Sequence, residues 1–583
     1  MNLRSSGSKN NIASQSQNIP KISQQFRDEE AKHSEQEESS SNSASTEYSE
    51  DDSDEDSQGF DYDEDLLTNL EDLELEWTET LEFIKSNKIM SFRSKNPLKN
   101  DLSTLVEPEN FFGLIITDEF LLQICKWTNE NASAQRNRKR RESHEKKWEP
   151  ITLIKLKAFL ALLFLMPLVG KPNLKDYWSN KALTSTPGLK NILTRDEFLK
   201  IKRNIRFYDT QRHNKQDALY RVRPLMNEIL SNTNENYNPP KELTLDETMI
   251  SFKGRCKFRV YMPLKPVRYG FKAFTVTPSD EPIVLNLSVY DGTNHDLIHL
   301  VGSMLKPFES KGHIVYMDRY YSSPKVFKYL EEKGIGACGT CLLNRLQLTE
   351  EIKENIDSLQ KNQFLYYESE NLLLSVWKDK KPVTVLSTVH KVKQVRVIRR
   401  KRKQDTERVK KHTEAINIPM AIAEYNLKAR GVDIFDQYAS YQAFSHRSVK
   451  WYFRIIVFLL ETACINSWVL YKNQQLSLKA EKVFDYAKYK RMLGKSFAHK
   501  QISKQIPLTP IKTLKRPPIN DFTQLWGQCH LGKVTKKKLC FSCKNHKTRY
   551  ICEECDIALC LIPCYDFHRS QENMHKVLVV GRN

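Results

Sequence analysis

Four aspartates lie where a folded sheet could bring their carboxylates together. Asp246 lies inside the strand-like run 242–252, Asp318 closes another strand-like run, and Asp433 and Asp436 share one face at the start of a helical segment. Clustered carboxylates repel one another unless a cation lies between them, and hard oxygen ligands suit Mg²⁺ or Mn²⁺. Two such ions about 3.5–4 Å apart could activate an attacking oxygen and stabilise the leaving oxygen of a phosphodiester. Taken singly, each aspartate also fits a surface position or a helix cap.

A second group of ligand-type residues lies near the C-terminus, where seven of the twelve cysteines fall between Cys529 and Cys564. This clustering favours a metal site in a reducing compartment over a disulfide framework. The paired spacing supplies eight soft ligands, enough for two tetrahedral, structural Zn²⁺ ions. Cys529, His546 and His575 are less favoured substitutes. The predicted zinc ligands are His530, Cys540, Cys543, Cys552, Cys555, Cys560, Cys564 and His568.

The charge of the chain is strongly asymmetric. The 583 residues carry a formal net charge of +19, yet residues 28–79 hold 22 acidic residues and one lysine. The remainder has 90 Lys and Arg against 50 Asp and Glu, which indicates a polyanionic partner. The longest apolar run, 158–166, is far shorter than the roughly 20 residues that a spanning helix needs, so we expect a nucleic acid and no membrane. Residues 1–20 lack the apolar centre of a secretory signal.

The elements that must position the aspartates form a regular series. Three strand-like runs (242–252, 269–277 and 283–290) precede a helix (295–305), a strand (313–317), a helix (324–333) and a short strand (335–339). Three meandering strands followed by alternating helix and strand predict a mixed sheet with helices packed on it. The predicted fold class is α/β plus α, with a ribonuclease-H-like core and helical segments on either side of it in sequence.

Several charged segments leave alternatives open. The acidic run 49–56 fits either a solvated tail or an internal mimic of nucleic acid, and its serines could accept phosphate. The basic run 136–141 fits a nuclear address, a phosphate contact or an exposed loop, and 399–403 fits a DNA-facing loop or a solvated charge run. Basic residues around the first strand could line a phosphate path, although half of them could be ordinary surface: Lys253, Arg255, Arg259, Lys265, Arg268 and Lys272.

Three ordered blocks of this sequence resemble the piggyBac transposase family. The first runs from Asp246 to Arg255 and continues through Arg259-Val260-Tyr261, Lys265-Pro266 and Lys272. The second is Tyr316-Met317-Asp318-Arg319-Tyr320-Tyr321-Ser322-Ser323, and the third is Gly431-Val432-Asp433-Ile434-Phe435-Asp436-Gln437. Arg319 departs from the family pattern, which usually has Asn there. A cation at that position could alter DNA contact or metal affinity.

The resemblance implies a DDD-type, metal-dependent DNA transposase that works by cut and paste. It implies cleavage at terminal inverted repeats, hairpin intermediates, TTAA target sites, a homodimer and a nuclear location. Asp246, Asp318 and Asp433 would be the metal-binding triad, and Asp436 matches a fourth required acid. The alternatives are a domesticated, catalytically silent DNA-binding descendant and an adaptor with a RING- or PHD-like zinc fold.

The expected domains follow from the sequence pattern and the resemblance together. The cross-brace zinc domain binds transposon ends in the family, although by composition a protein-binding finger is equally compatible. The expected order is a disordered acidic region (1–105), a helical dimerisation and DNA-binding domain (106–239 and 441–506), an RNase-H-like catalytic domain (240–350 and 417–440), an insertion domain (351–416), a linker (507–527) and a cysteine-rich zinc domain (528–583).

Overall fold

The structure is a computed structural model in which fifteen ranges of the chain are described. They are 75–82, 89, 91–93, 95–138, 148–181, 185–214, 216–263, 265–293, 296–400, 413–446, 448–505, 531–540, 543, 546–552 and 557–560. The predicted linker (507–527) lies outside these ranges, as do the acidic run 49–56, residues 139–141 of the basic run 136–141 and residues 401–403 of the basic run 399–403.

One large mixed sheet forms the centre of the molecule. Its strands are β1 (Thr78–Glu79), β2 (Glu242–Ser251), β3 (Val260–Tyr261), β4 (Tyr269–Pro278), β5 (Asn286–Val289), β6 (Ile314–Met317), β7 (Gly336–Thr340), β8 (Phe364–Ser369), β9 (Leu372–Lys378) and β10 (Pro382–Ser387). The order across the sheet is β1-β8-β9-β10-β7-β6-β2-β4-β3, with β5 also paired to β4. Strand β2 runs parallel to β6 and antiparallel to β4, and β6 runs parallel to β7. The predicted series of strands and helices is confirmed.

Helices surround this sheet. They are α1 (Pro108–Gly113), α2 (Asp118–Arg138), α3 (Leu153–Val169), α4 (Pro187–Lys190), α5 (Arg195–Asn204), α6 (Arg223–Asn236), α7 (Leu297–Leu305), α8 (Pro324–Glu332), α9 (Glu350–Ser358), α10 (Met420–Lys428), α11 (Gly431–Tyr441), α12 (Trp451–Ser477) and α13 (Tyr486–Gln505). Helix α3 packs on α13, and α12 packs on α1 and α6, so two distant segments of the chain build one helical layer. The domain boundaries stay predictions.

Two apolar helices occupy the core of this layer. The apolar spacing of three and four in 153–168 and the long apolar segment 449–471 predict both of them. The apolar run of α3 is almost wholly buried, and the Thr152 side chain caps its first turn by accepting from the Lys155 N–H. Within the described ranges, α12 has the length and apolar composition that a membrane crossing requires, with 89% of its most apolar window buried inside the protein. That degree of burial is what a helix in a protein core shows.

The segment 351–416 extends the central sheet. The apolar runs 372–377 and 383–389, on either side of 379–381, predict a hairpin, and this hairpin forms β9 and β10. Strand β10 pairs antiparallel with β7, so the segment continues the sheet through main-chain hydrogen bonds. Sequence reading missed a second hairpin, β11 (Gln394–Arg400) with β12 (Thr413–Pro419), which forms a separate two-stranded sheet. The alternation Val395-Arg396-Val397 in β11 and Ile416-Asn417-Ile418 in β12 was the signal available in the sequence.

The prediction of disorder for 1–105 is wrong at its C-terminal end. Trp77 is 8% exposed and donates its indole N–H to the Leu346 carbonyl at 2.7 Å, while β1 extends the sheet beside β8. Leu98 and Leu102 are also buried. These residues supply the apolar surface that the preceding acidic run lacks, which offsets the entropy of ordering them. The rest of the prediction, for residues 1–74, falls outside the described ranges.

Candidate metal and nucleic-acid site

Asp246 and Asp318 come together at the point where β6 ends and the longer strand β2 continues. The last paired residues of the two parallel strands are Leu245 and Met317, so the next residue on each strand is an aspartate. Beyond Leu245, β2 no longer pairs with β6, and the carboxylate of Glu247 also reaches the space beyond the end of β6. Carboxylate oxygens of Asp246, Glu247 and Asp318 lie within 4.8 Å of one another. Sequence reading missed Glu247, since strand alternation assigns it to the opposite face from Asp246.

The pKa values of the two adjacent acids on β2 shift in opposite directions. Burial raises the pKa of Asp246 well above its ordinary value, and the Glu247 carboxylate beside it adds to that rise. Burial opposes ionisation of Glu247 as well, but the Lys272 ammonium, 3.1 Å away, leaves the pKa of Glu247 lowered. Asp246 therefore holds a proton more readily than Glu247 does, and a cation entering the group would favour loss of that proton.

The loop after β6 fixes the second aspartate. The Tyr320 N–H donates to Oδ1 of Asp318 at 2.9 Å, and the Arg345 guanidinium donates to the carbonyls of Arg319 and Tyr320, each at 2.9 Å. Burial raises the pKa of Asp318, and the charge of Glu247 raises it further. The side chain of Arg319, the departure from the family pattern, is exposed to solvent.

The third block places Asp436 and Asp433 differently. Asp436 reaches β2, where its Oδ1 accepts from the Thr248 hydroxyl at 2.7 Å, and burial raises its pKa to about 7. Thr248 is two residues from Asp246, hence on the same face of β2. Asp433 is exposed on the first turn of α11 and is not in the group within 4.8 Å. Its assignment as the third ligand stays a prediction.

Gly431 explains how α11 approaches the sheet so closely. A Cβ at this residue would lie 2.0 Å from the Pro278 carbonyl oxygen and 2.5 Å from the Thr277 hydroxyl oxygen. At the other end of α11, the buried Lys490 ammonium donates to the Gln442 carbonyl at 2.7 Å and forms an ion pair with Glu461. Helix α11 is therefore packed against the sheet at its start and tied to α12 and α13 at its end.

The acidic group fits a hard divalent cation. Mg²⁺ binds oxygens at 2.0–2.1 Å, so two of its ligands lie about 3–4 Å apart, and the carboxylates here need only a small inward movement. Lys265 lies near all of the buried acids, whose charges raise its pKa against the opposing effect of burial. Asp246, Asp318 and Glu247 are the residues that could hold an ion, with Asp436 beside them.

The six basic residues predicted to contact DNA fall into three groups that differ in their contacts and exposure. Lys265 and Lys272 are directed to the acids, and the Lys272 ammonium also lies 4.2 Å from the centre of the Tyr320 ring. Arg259 is half-buried and donates to the carbonyls of two neighbouring residues. The members that remain exposed are Lys253, Arg255 and Arg268.

The described part of the C-terminal module brings together three of the predicted zinc ligands. The sulfurs of Cys540, Cys543 and Cys560 lie within 4.8 Å of one another, with 3.8 Å between Cys543 Sγ and Cys560 Sγ. Ligands at the 2.3 Å Zn–S distance in a tetrahedron are about 3.8 Å apart, so the thiols fit zinc. Nδ1 of His546, an alternative ligand, is 3.6 Å from Cys543 Sγ. His530, Cys555, Cys564 and His568 lie outside the described residues, as does the Cys552 side chain.

The order of these three cysteines indicates interleaved ligand pairs. Cys560 joins Cys540 and Cys543 although Cys552 and Cys555 lie between them in sequence; the cross-brace domain stays a prediction. The strands that carry the module are β13 (Leu531–Leu539), β14 (Lys547–Cys552) and β15 (Ile557–Ala558), which form one antiparallel sheet.

Comparison with known proteins identifies the class. A family model described as Transposase IS4 matches residues 107–468, more than half of the chain. A cryo-EM structure of a piggyBac transposase synaptic complex with hairpin DNA has the same fold, with a TM-score of 0.61 at 24% identity, over 81% of this chain and 100% of that one.

The chain belongs to the IS4-type transposase family, and within it to the piggyBac type. Human PiggyBac transposable element-derived protein 3 is 23% identical over 487 residues, which cover 80% of this chain and 77% of that protein. Human PiggyBac transposable element-derived protein 2 is 26% identical over 341 residues, covering 55% and 56% of the two chains.

Proposed function

We propose that this protein is a metal-dependent DNA transposase that cuts and transfers strands at terminal inverted repeats and inserts at TTAA. The observation that carries the proposal is the convergence of Asp246 and Asp318 at the ends of two parallel strands, with Asp436 on the helix packed against them. The strand order β5-β4-β2-β6-β7 supports an RNase-H-like core.

The residues of the site have separate tasks in this proposal. Asp246 and Asp318 hold the metal, and Asp433 completes the triad at the exposed start of α11. A bound pair of Mg²⁺ or Mn²⁺ ions supplies an activated oxygen nucleophile and a stabilised leaving oxygen. Glu247, held by Lys272, adds negative charge, and Lys265 limits the repulsion among the acids before metal enters.

The C-terminal module completes the proposal as a DNA-end binder. Two structural zinc ions would fold it, with Cys540, Cys543 and Cys560 contributing to one of them. The solved relative, named as a synaptic complex with hairpin DNA, supports double-stranded DNA as the partner and a hairpin intermediate. A homodimer, a nuclear location and no membrane partner belong to the same proposal.

The test uses purified protein and a duplex that carries the repeats flanking this coding sequence next to TTAA. We expect cleavage in Mg²⁺, and Asp318→Asn should reduce it about 100- to 1,000-fold because a metal ligand worth several kcal/mol is lost. Asp357→Asn, the same change at an exposed position of α9, is the matched control. Equal cleavage by Asp318→Asn and wild type contradicts the proposal.

The second candidate is a catalytically silent, transposase-derived DNA-binding protein. The human relatives, described as transposable element-derived proteins, are the observation that favours it. Tight binding of the repeat duplex with no strand cleavage in Mg²⁺ or Mn²⁺ would support this candidate and exclude the first.

A further inference from the structure

Four side chains form a continuous series of hydrogen bonds between the segment 351–416 and helix α10. The Ser387 hydroxyl lies 2.7 Å from Nδ1 of His390, and Nε2 of His390 lies 3.0 Å from a carboxylate oxygen of Glu424. The same oxygen accepts from the Tyr316 hydroxyl at 3.2 Å. Ser387 ends β10, Tyr316 lies on β6 and Glu424 lies on α10, so this polar bridge joins three elements of the fold.

The hydrogen bonds of the polar bridge run in one direction. Ser387 Oγ accepts from the main-chain N–H groups of Val389 at 3.1 Å and His390 at 3.2 Å. These two donors fill the acceptor sites of the hydroxyl, so its own hydrogen is donated to Nδ1 of His390. The ring proton of His390 is therefore on Nε2, which donates it to Glu424. That hydrogen bond lowers the pKa of Glu424 against the opposing effect of burial.

The polar bridge is enclosed by the protein. Ser387 is 0% exposed and His390 is 3% exposed, so the hydroxyl is not placed to attack a substrate. The core cluster around Tyr316 is built from apolar residues such as Trp377 and Ile422. Apolar packing alone tolerates small shifts of a helix, whereas a fully satisfied set of directional hydrogen bonds specifies one position. The bridge therefore fixes α10 at one place on the sheet.

Helix α10 connects the polar bridge with the acids. Thr244 and Tyr316 are paired across β2 and β6, and each lies two residues before an aspartate, Asp246 or Asp318. Because side chains alternate along a strand, these four lie on one face of the sheet. The Thr244 hydroxyl donates to the carbonyl of Lys428, the last residue of α10, at 2.9 Å. Two residues separate α10 from α11, so a shift of α10 moves the start of α11 as well.

We propose that His390 is a positioning residue for the acidic group: through Glu424 it fixes α10, and thereby the place of α11 and of Asp436 on β2. The segment 351–416 thus contributes to the site through a helix that it holds. The proposal deepens the proposed function, on which its catalytic consequence rests. The positioning of α11 itself needs neither metal nor cleavage, so the two can fail separately.

The first test measures how firmly α11 is held. His390→Phe removes both ring nitrogens, whereas the amide of His390→Gln can still donate toward Glu424. His299→Phe, the same change at an exposed position of α7, is the matched control. Hydrogen exchange of each purified protein is followed in EDTA. We expect His390→Phe to speed exchange of the α11 amides about tenfold and to leave those of α12 unchanged, while His390→Gln stays within about threefold of wild type.

Cleavage of the repeat duplex in Mg²⁺ gives the second readout. His390→Phe should lower kcat about 10- to 100-fold with little change in KM, because displaced acids act in the chemical step and not in DNA binding. His390→Gln should recover most of this loss. Tyr316→Phe removes one hydroxyl of the bridge and leaves the core filled, so it should lower kcat about three- to fivefold, and it serves as the test variant if His390→Phe does not fold.

Several results would overturn the proposal. One is exchange in α11 that His390→Phe and Tyr316→Phe leave unchanged. Another is equal acceleration in α11 and α12, with His390→Gln no closer to wild type, because the histidine would then serve global stability alone. A raised KM with unchanged kcat would place the effect on DNA binding and count equally against it. If the wild-type protein does not cleave, the proposed function fails, and the exchange comparison still decides whether His390 positions α11.

Discussion

Replacing Gly431 with alanine tests whether the contact of α11 with the sheet sets the geometry of the acids. The added Cβ would lie 2.0 Å from the Pro278 carbonyl oxygen, whereas carbon and oxygen in contact are separated by about 3.3 Å or more. The main chain on both sides is regular structure, so α11 must move outward by about 1 Å. Overpacking of this kind costs about 1–3 kcal/mol of stability.

The same movement should affect catalysis more than stability. Asp436 contacts β2 through one 2.7 Å hydrogen bond, and Asp433 lies on the turn that would shift. A displacement of about 1 Å in a catalytic group can cost about 100-fold in rate. We therefore expect Gly431→Ala to fold, to unfold at a lower urea concentration, and to cleave the repeat duplex about 100-fold more slowly.

Gly113→Ala is the matched control for this experiment. Gly113 ends α1, and a Cβ there would meet no atom within 4 Å, so the substitution should be neutral or stabilise by up to about 1 kcal/mol. The reasoning is refuted if both alanine variants retain wild-type stability and cleavage. It is also refuted if Gly431→Ala loses stability alone, because the position of α11 would then not govern the acids.

Two further predictions concern protons and zinc. Since burial raises the pKa of Asp436 to about 7 from 3.8, stability from its protonated form is complete below pH 3.8 and is lost as pH rises through 7. The free energy of unfolding of Asp436→Asn should therefore increase relative to that of wild type as pH rises, by at most about 4 kcal/mol. Urea unfolding of both proteins in EDTA at pH 5 and pH 7.5 measures this difference. A difference that is equal at the two pH values contradicts the prediction. Cys543→Ser should lower the zinc content, measured by elemental analysis, from about two ions per chain to about one, whereas Cys256→Ser outside the cluster should leave it unchanged.

Local sequence patterns predicted many of the helices and strands. The alternation in 242–252 and the apolar spacing in 153–168 depend on neighbouring residues alone, and both elements form within one or two residues of the expected ends. The predicted sheet strands at 269–277 and 313–317 also form. The hairpin of β11 and β12 was missed, and the pairing of β10 with β7 depends on contacts between residues about 45 positions apart.

The chain by itself determined which residue types are available: acids at strand ends, a glycine at the start of α11, and cysteines in paired spacing. Only the tertiary structure decided which of them meet. Glu247 joins Asp246 because β6 ends at Met317, opposite Leu245, so β6 does not pair beside Glu247, and Asp436 contacts β2 while Asp433 is exposed. The reason is that strand length, helix rotation and burial are set by packing between distant segments, which no local pattern encodes.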